Sequence, residues 1–249
     1  MFRNYFRRAM MIVPYVTLVI PCYNEGPRLL RMWQGLVDFA SLWPGRFDVV
    51  LVDDGSTDNG LTALCTMTGY ADLADRIVCI RQENTGKGGA LKAGVLAAKG
   101  DYILTLDADM AAAPTELLRW WELRDGFFSK EIFIGSRELP QSEVRDSFQR
   151  QQVGRMFNRL IRLMTGLPYR DTQCGFKLYP REVACELFTA LQTLGWAHDV
   201  ELLLRANRAG YAIVQMPLRW QAVEGSKISV WRDSVVMFNE LLRIVLMRI

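Results

Sequence analysis

The chain has 249 residues, half of them apolar and 23% charged, with a formal net charge of +3. These figures suit one large α/β domain, or two small ones, with a substantial core, and they exclude a disordered or low-complexity chain. So small a net charge makes no electrostatic case for nucleic acid, and no such partner is expected.

Arginines crowd the first ten residues, the segment 145–162 and the C-terminus, while carboxylates gather at loop positions in the middle. The opening "MFRNYFRRAMMIVPYV" is basic and aromatic but lacks the apolar stretch and small-residue end of a signal peptide. No run of about 18–20 apolar residues is present to span a bilayer. Five cysteines (Cys22, Cys65, Cys79, Cys174 and Cys185) include no CxxC pair, which suits a reducing compartment. Most are expected to be small buried hydrophobes, Cys79 in a strand and Cys65 on a helix.

Strand and helix alternate over the first 110 residues. "YVTLVI" (15–20) is a short apolar run ending at Pro21, followed by a loop and a helix from about Pro27 to Ala40. "FDVVLVDD" (47–54) is a second strand, and "STDNG" predicts a helix start with Ser56 or Thr57 as N-cap. "RIVCIRQ" (76–82) is a third strand, and "GKGGALKAGVLAAKG" leads through glycines into a helix ending near Gly100. "YILTLDADM" (102–110) is a fourth strand. A helix after Pro114 comes next, then a strand (131–137), an arginine-rich helix (146–165), and a turn with a short strand (171–180). Helices (181–193 and 198–209), a strand (212–220) and a final helix (231–248) complete the chain.

The alternation predicts an α/β fold: a Rossmann-like, mainly parallel central sheet with helices on both faces. Three regions are expected: a basic N-terminal segment (1–14), one domain (15–230) and a C-terminal amphipathic helix (231–249). Ligands of such sheets bind beyond the carboxyl ends of the strands. Those ends carry Asn24 and Glu25, Asp53 and Asp54, Asn84, Gly86 and Lys87, then Asp107 and Asp109.

Asp107-Ala108-Asp109 places two carboxylates one residue apart just past a buried strand, hard oxygen ligands suited to Mg²⁺ or Mn²⁺. The plain alternative is a pair of solvated loop acids. Asp53 and Asp54 can accept hydrogen bonds from a base or ribose, or serve as helix-capping acids beside Asp58. "NTGKGGA" (84–90) departs from the nucleotide-triphosphatase loop, since Gly88 follows Lys87 where Ser or Thr is required. Lys87 at a helix start can hold a diphosphate, or the glycines can simply allow a tight turn. No GxGxxG follows the first strand, which counts against a dinucleotide oxidoreductase.

In order and spacing, "VTLVIPCYNE", "VVLVDDGSTD", "NTGKGGALKAG" and "YILTLDADM" resemble the inverting glycosyltransferases of family 2, which have the GT-A fold. "GSR" (135–137), "RDTQCGFKLYPRE" (170–182), "GWAHDVELLLRA" (195–206) and "WQAVEGSKIS" (220–229) resemble the dolichyl-phosphate β-glucosyltransferase branch, with the mannose-transferring branch next. The resemblance covers about residues 15–245. It implies that Asp54, with Asp53 beside it, contacts the base. It also implies that Pro21, Tyr23 and Glu25 line the nucleotide site and that Asp107 and Asp109 hold the metal. Arg137 and Arg150 would grip the acceptor phosphate, and Ser226 and Lys227 would belong to a loop closing over the diphosphate. Glu224-Gly225 before that pair matches the glucosyl branch and departs from the mannosyl one, which often has a basic residue there.

The resemblance thus implies metal-dependent transfer of a hexose, glucose first and mannose second, from a nucleotide-sugar to a polyprenyl phosphate. A phosphate acceptor is largely ionised at neutral pH and needs no strong base. A non-lipid acceptor would need one, for which Asp199 or Glu201 would have to serve. Those two acids are otherwise candidates for binding sugar hydroxyls or orienting the site. His198, the only histidine, reads as a structural neighbour. A non-catalytic nucleotide-sugar-binding protein is the remaining alternative. The helices at 146–167 and 231–249 interleave arginines with large apolar residues, a pattern that serves either a membrane surface or a protein core. With a lipid acceptor, the expectation is a cytoplasmic protein lying peripherally on the inner face of a membrane.

Overall fold

The computed structural model describes residues 13–126, 128–223 and 230–247. A seven-stranded sheet forms the centre, in the order β3-β2-β1-β4-β7-β5-β8. Its strands are β1 (Val16–Cys22), β2 (Phe47–Asp54), β3 (Ile77–Gln82), β4 (Tyr102–Thr105), β5 (Ile132–Ser136), β7 (Lys177–Pro180) and β8 (Ile213–Pro217). β1 pairs in parallel with β2 and β4, and β2 with β3. β7 runs antiparallel to both its neighbours, β4 and β5, and β5 is parallel to β8. Two short strands, β6 (Glu143–Arg145) and β9 (Arg219–Gln221), make a separate parallel pair.

Helices cover both faces: α1 (Leu29–Leu42), α2 (Lys87–Ala97), α3 (Glu116–Leu123), α4 (Phe148–Thr165), α5 (Arg181–Ala190), α6 (His198–Arg208) and α7 (Val230–Leu246). Successive strand residues point to opposite faces, so β1 feeds two cores. Leu18 and Ile20 pack with Met32, Leu36 and Phe39 of α1, whereas Val19 packs with Leu91 and Val95 of α2 and with residues of α5 and α6. α2 lies close to the sheet because Gly94 has no side chain; a Cβ there would stand 2.4 Å from a Val19 methyl. α7 buries Leu241 and Ile244 in the second core. Among the described residues, no helix is long and apolar enough to cross a membrane.

Four local expectations fail for identifiable reasons. No helix begins at Ser56 or Thr57; the chain stays irregular until a short 3-10 turn at Thr62–Thr66. The capping groups are used across the loop instead: Ser56 Oγ accepts from Asn24 N, and Asp58 Oδ2 from Gly26 N. The fourth strand stops at Thr105, because residues 107–111 close a turn in which Asp107 O accepts from Met110 N and Asp109 Oδ1 from Ala111 N. The strand expected at 212–220 divides at Leu218, so that β9 can pair with β6. Cys22 and Cys174 are buried, but Cys65 and Cys79 are exposed, the latter because β3 is the outermost strand.

Candidate active site

The carboxyl ends of β1 and β2 are stitched together by side chains. Asn24, held at φ +53°, takes the N–H groups of Thr57 and Asp58 on Oδ1 at 2.7 and 3.1 Å, while its own N–H donates to Ser56. Pro21 is half-buried in β1 and Tyr23 is 43% exposed on the rim. Glu25 is gripped by Arg28, with N–O distances of 2.7 and 2.6 Å.

Asp53 and Asp54 face opposite sides of the sheet and do different work. Asp54 accepts from Gln82 Nε2 (2.8 Å), Thr85 N (2.9 Å), Thr85 Oγ1 (3.2 Å) and Gly86 N (2.9 Å), so it shapes the loop leading into α2. Asp53 accepts from Ser56 N at 2.8 Å and pairs with Arg81 Nε at 3.5 Å. The loop's glycines answer to packing. A Cβ at Gly86 would meet Leu194 O at 2.7 Å, and one at Gly88 would meet His198 Cβ at the same distance.

That tight approach sets Lys87 at the start of α2, with Nζ 2.6 Å from Asp107 Oδ1 and 5.9 Å from the centre of the Trp196 ring. Asp107 lies over Gly175, where a Cβ would stand 2.6 Å from its carboxylate. Burial and then the neighbouring Asp107 raise the pKa of Asp109. Burial opposes the charge on Lys87, but Asp107 and Asp199 outweigh it and raise its pKa. Two close acids with one lysine across them form a locus that favours added positive charge. No group of three or more metal-ligating side chains occurs among the described residues. Asp107 and Asp109 are hard oxygen donors that fit Mg²⁺ or Mn²⁺, which keep several water and phosphate oxygens and need only one or two carboxylates.

On the other flank, Arg137 is clamped by Asp171. Its Nε and Nη2 donate to the two carboxylate oxygens at 2.7 and 2.9 Å, and its backbone N–H adds a third bond at 3.0 Å. Asp171 is fully buried, and the guanidinium sits 5.5 Å from the centre of the Trp220 ring. The clamp occupies one edge of the guanidinium fork and leaves Nη1 for another oxyanion. Arg150 is exposed in the first turn of α4. Further along that helix, Arg155 reaches Glu138, the residue after Arg137, at 3.4 Å.

Asp199 opens α6 and pairs with the buried Lys177 at 2.7 Å. Glu201 is not brought to this cluster. It is fully buried and accepts from Gln192 N, Thr193 N and Arg205 Nε, which ties α6 to the loop before it. Two of these bonds fall on Oε1 and one on Oε2, so the carboxylate is held chiefly by the fold. His198 is buried as a neighbour of the site, its Nδ1 2.8 Å from Gly195 O. Ser226 and Lys227 lie outside the described residues. Sequence reasoning passed over Arg28, Asp171 and Lys177. The signal for the last was present: a lysine between Phe176 and Leu178 in a strand must find a buried partner.

A mainly parallel sheet whose carboxyl edge carries this acidic turn, a lysine-led helix and a braced arginine defines a glycosyltransferase with a GT-A-like fold. The Glycosyl transferase family 2 profile matches residues 17–188, and the chain belongs to that family. A "Dolichyl-phosphate beta-glucosyltransferase" of Saccharomyces cerevisiae is 32% identical over 246 residues, covering 91% of this chain and 73% of that protein. The Homo sapiens protein of that name is 31% identical over 239 residues, covering 91% and 74%. Glucosyl-3-phosphoglycerate synthase of Mycobacterium tuberculosis, solved with Mn²⁺, UDP and glucosyl-3-phosphoglycerate, has a TM-score of 0.65 at 19% identity, over 98% of this chain and 81% of that one. That likeness concerns the fold.

Proposed function

We propose that this enzyme transfers glucose, with inversion, from UDP-glucose to the phosphate of a polyprenol such as dolichol. The observation that carries the reading is the pairing of two charged loci on one sheet edge: Lys87 with Asp107 and Asp109, and Arg137 braced by Asp171. The first suits a diphosphate leaving group. The second suits an anionic nucleophile. The names of the relatives support glucose and dolichyl phosphate over other pairs.

Asp53 is the carboxylate with lighter protein contacts and is assigned to the base or ribose, while Asp54 acts on the nucleotide through the loop it shapes. Pro21, Tyr23 and Glu25 wall the nucleotide from the β1 side. Asp107 and Asp109 would hold Mg²⁺ or Mn²⁺, which when bound neutralises charge on the departing diphosphate. Lys87, and Lys227 with Ser226 from the segment that follows β9 in the chain, bind the same diphosphate. Arg137, with Arg150 from α4, orients the acceptor phosphate by charge-assisted hydrogen bonds. An acceptor oxygen attacks the anomeric carbon as the bond to the β-phosphate oxygen breaks, and its electron pair leaves on UDP. No proton need be removed from a phosphate whose second pKa is about 6.

Attachment to a membrane surface belongs to the same reading, as a peripheral protein on the inner, cytoplasmic face. α4 keeps Ile161 in the core but exposes Phe148, Met156 and Leu163, and α7 exposes Leu242 and Leu246. Arginines on α4 accompany those side chains. Co-sedimentation with anionic vesicles at low salt, abolished by Met156→Asp with Leu163→Asp, is the expected result. No sedimentation of the wild type would remove the membrane from the account.

The chemical test offers radiolabelled UDP-glucose and GDP-mannose separately with a short polyprenyl phosphate, with and without Mg²⁺ or Mn²⁺. Metal-dependent organic-phase label from UDP-glucose alone is expected. Label from GDP-mannose would reassign the sugar, and donor hydrolysis without lipid label would remove the lipid phosphate as acceptor.

A further inference from the structure

Lys177 opens β7 in an apolar setting and is fully buried. Its Nζ donates to the Cys174 carbonyl and to Asp199 Oδ1, the latter at 2.7 Å. A buried ammonium is retained only where a charged, well-placed partner offsets its desolvation. That partner, Asp199, is itself only 5% exposed. Its second oxygen, Oδ2, has no hydrogen-bond partner among the described residues, and the side chain keeps 7% of its surface exposed. The ion pair therefore spends one carboxylate oxygen and leaves the other to be presented.

The charged and titratable groups facing Asp199 come from three elements. Lys177 and the buried Tyr179 phenol belong to β7, Lys87 to α2, and His198 to the first turn of α6. His198 Nε2 stands 3.6 Å from Asp199 Oδ1, while Nδ1 is engaged by a carbonyl, so the neutral ring turns a lone pair toward the carboxylate. Burial lowers the pKa of that histidine. Burial would raise the pKa of Asp199, but Lys177 above all, with Lys87 adding to it, outweighs burial and lowers it. A carboxylate so paired is a weak base, the opposite of what abstraction from a hydroxyl near neutral pH requires.

We propose that Lys177 is a positioning residue that fixes Asp199 as a constant anion with Oδ2 presented to the donor sugar. Asp199 then accepts hydrogen bonds from sugar hydroxyls and takes no proton from the acceptor. The inference rests on the reading that the acceptor is a phosphate, because only an already ionised nucleophile lets the site hold this carboxylate as a weak base. It also accounts for a buried lysine that the transfer chemistry itself does not touch.

The test is Lys177→Met, assayed for transfer to polyprenyl phosphate and, without acceptor, for UDP-glucose hydrolysis. Without its cation Asp199 protonates at higher pH, so activity falls as pH drops through the raised value and returns on the alkaline side. The ratio of rates at about pH 8 and about pH 6 should rise about tenfold over wild type, together with the donor KM but not the acceptor KM. Lys177→Met with Asp199→Asn leaves no orphaned charge. It should keep the raised donor KM and lose the added acid-side fall, and it decides the matter if the single variant does not fold. A wild-type pH profile and donor KM in folded Lys177→Met, or an unchanged donor KM in the double variant, would overturn the proposal. Failure of the phosphate-acceptor reading looks different: wild type itself would label no lipid, while the effects of Lys177 on donor hydrolysis would still be read.

Discussion

The two flanks of the site are built by different means. On the β1–β2–β4 side, functional groups sit on loops at the ends of parallel strands, each next to the residues that shape it: Asn24 with Ser56, Asp54 with Thr85 and Gly86. On the β5–β7 side, each charge at the site is set by a buried counter-charge distant in sequence: Arg137 by Asp171 and Asp199 by Lys177. The first flank is local and loop-borne, and suits a ligand bound through many small contacts. The second is fixed from beneath by ion pairs, and suits charges that must not relax while a bond is made. Damage to the first should therefore appear in donor binding; on the second, damage to the Arg137–Asp171 pair should appear in acceptor use and stability, and damage to the Lys177–Asp199 pair in the donor KM and its pH dependence.

Asp109→Asn should be the most severe change, since it removes one of the two carboxylates of the acidic turn. A fall in kcat/KM of about a thousandfold is expected, with only small change in the thermal midpoint. Activity within tenfold of wild type would detach the acidic turn from the chemistry. Arg137→Ala comes next. Acceptor KM should rise about a hundredfold while donor hydrolysis persists, and a mild effect would point to an acceptor without a phosphate.

Asp171→Asn separates bracing from binding. The half-buried Arg137 loses its charged partner, so stability should fall by about 3 kcal/mol, with about a tenfold rise in acceptor KM. Burial opposes the ionised form of Asp171, but Arg137 holds its pKa below the ordinary carboxylate value. The stabilisation is therefore complete above about pH 4 and is lost as pH falls through the depressed value. Acid unfolding followed by circular dichroism should show a weaker pH dependence in Asp171→Asn. An identical acid transition would place the stabilisation elsewhere.

Asp54→Ala acts on the other flank by releasing the 82–86 loop. Donor KM should rise about tenfold with acceptor KM unchanged, and a reversed pattern would undo the division between flanks. Glu201→Gln should affect function least: kcat within about twofold, and a stability loss of about 1–3 kcal/mol from weakened hydrogen bonds. A collapse of kcat in a folded Glu201→Gln protein would return that residue to the chemistry.

The same contrast explains what the sequence disclosed. Hydrophobic runs ending in acids, and a glycine-rich stretch before a helix, disclosed the parallel half of the sheet and put Lys87, Asp107 and Asp109 at one edge of it, because each lies just past its own strand or at the start of its own helix. Asp171 lies 34 positions from Arg137 and Lys177 lies 22 from Asp199. No periodicity joins such pairs; only the antiparallel insertion of β7 between β4 and β5 does. For Asp54 and Glu201 the sequence is silent on something else: an acid at a strand end or a helix start shows no sign of its hydrogen-bond partners, and both carboxylates take several within the protein.

The central claim is that the nucleophile is a phosphate already carrying its charge. Its most direct test compares polyprenyl phosphate with the unphosphorylated polyprenol of the same length as acceptors for radiolabelled UDP-glucose, at matched concentration and saturating metal. The account predicts organic-phase label from the phosphate alone, with Arg137→Ala abolishing most of it. Comparable transfer to the free alcohol would contradict it, because the site would then need a base that Asp199, paired to Lys177, is poorly placed to supply.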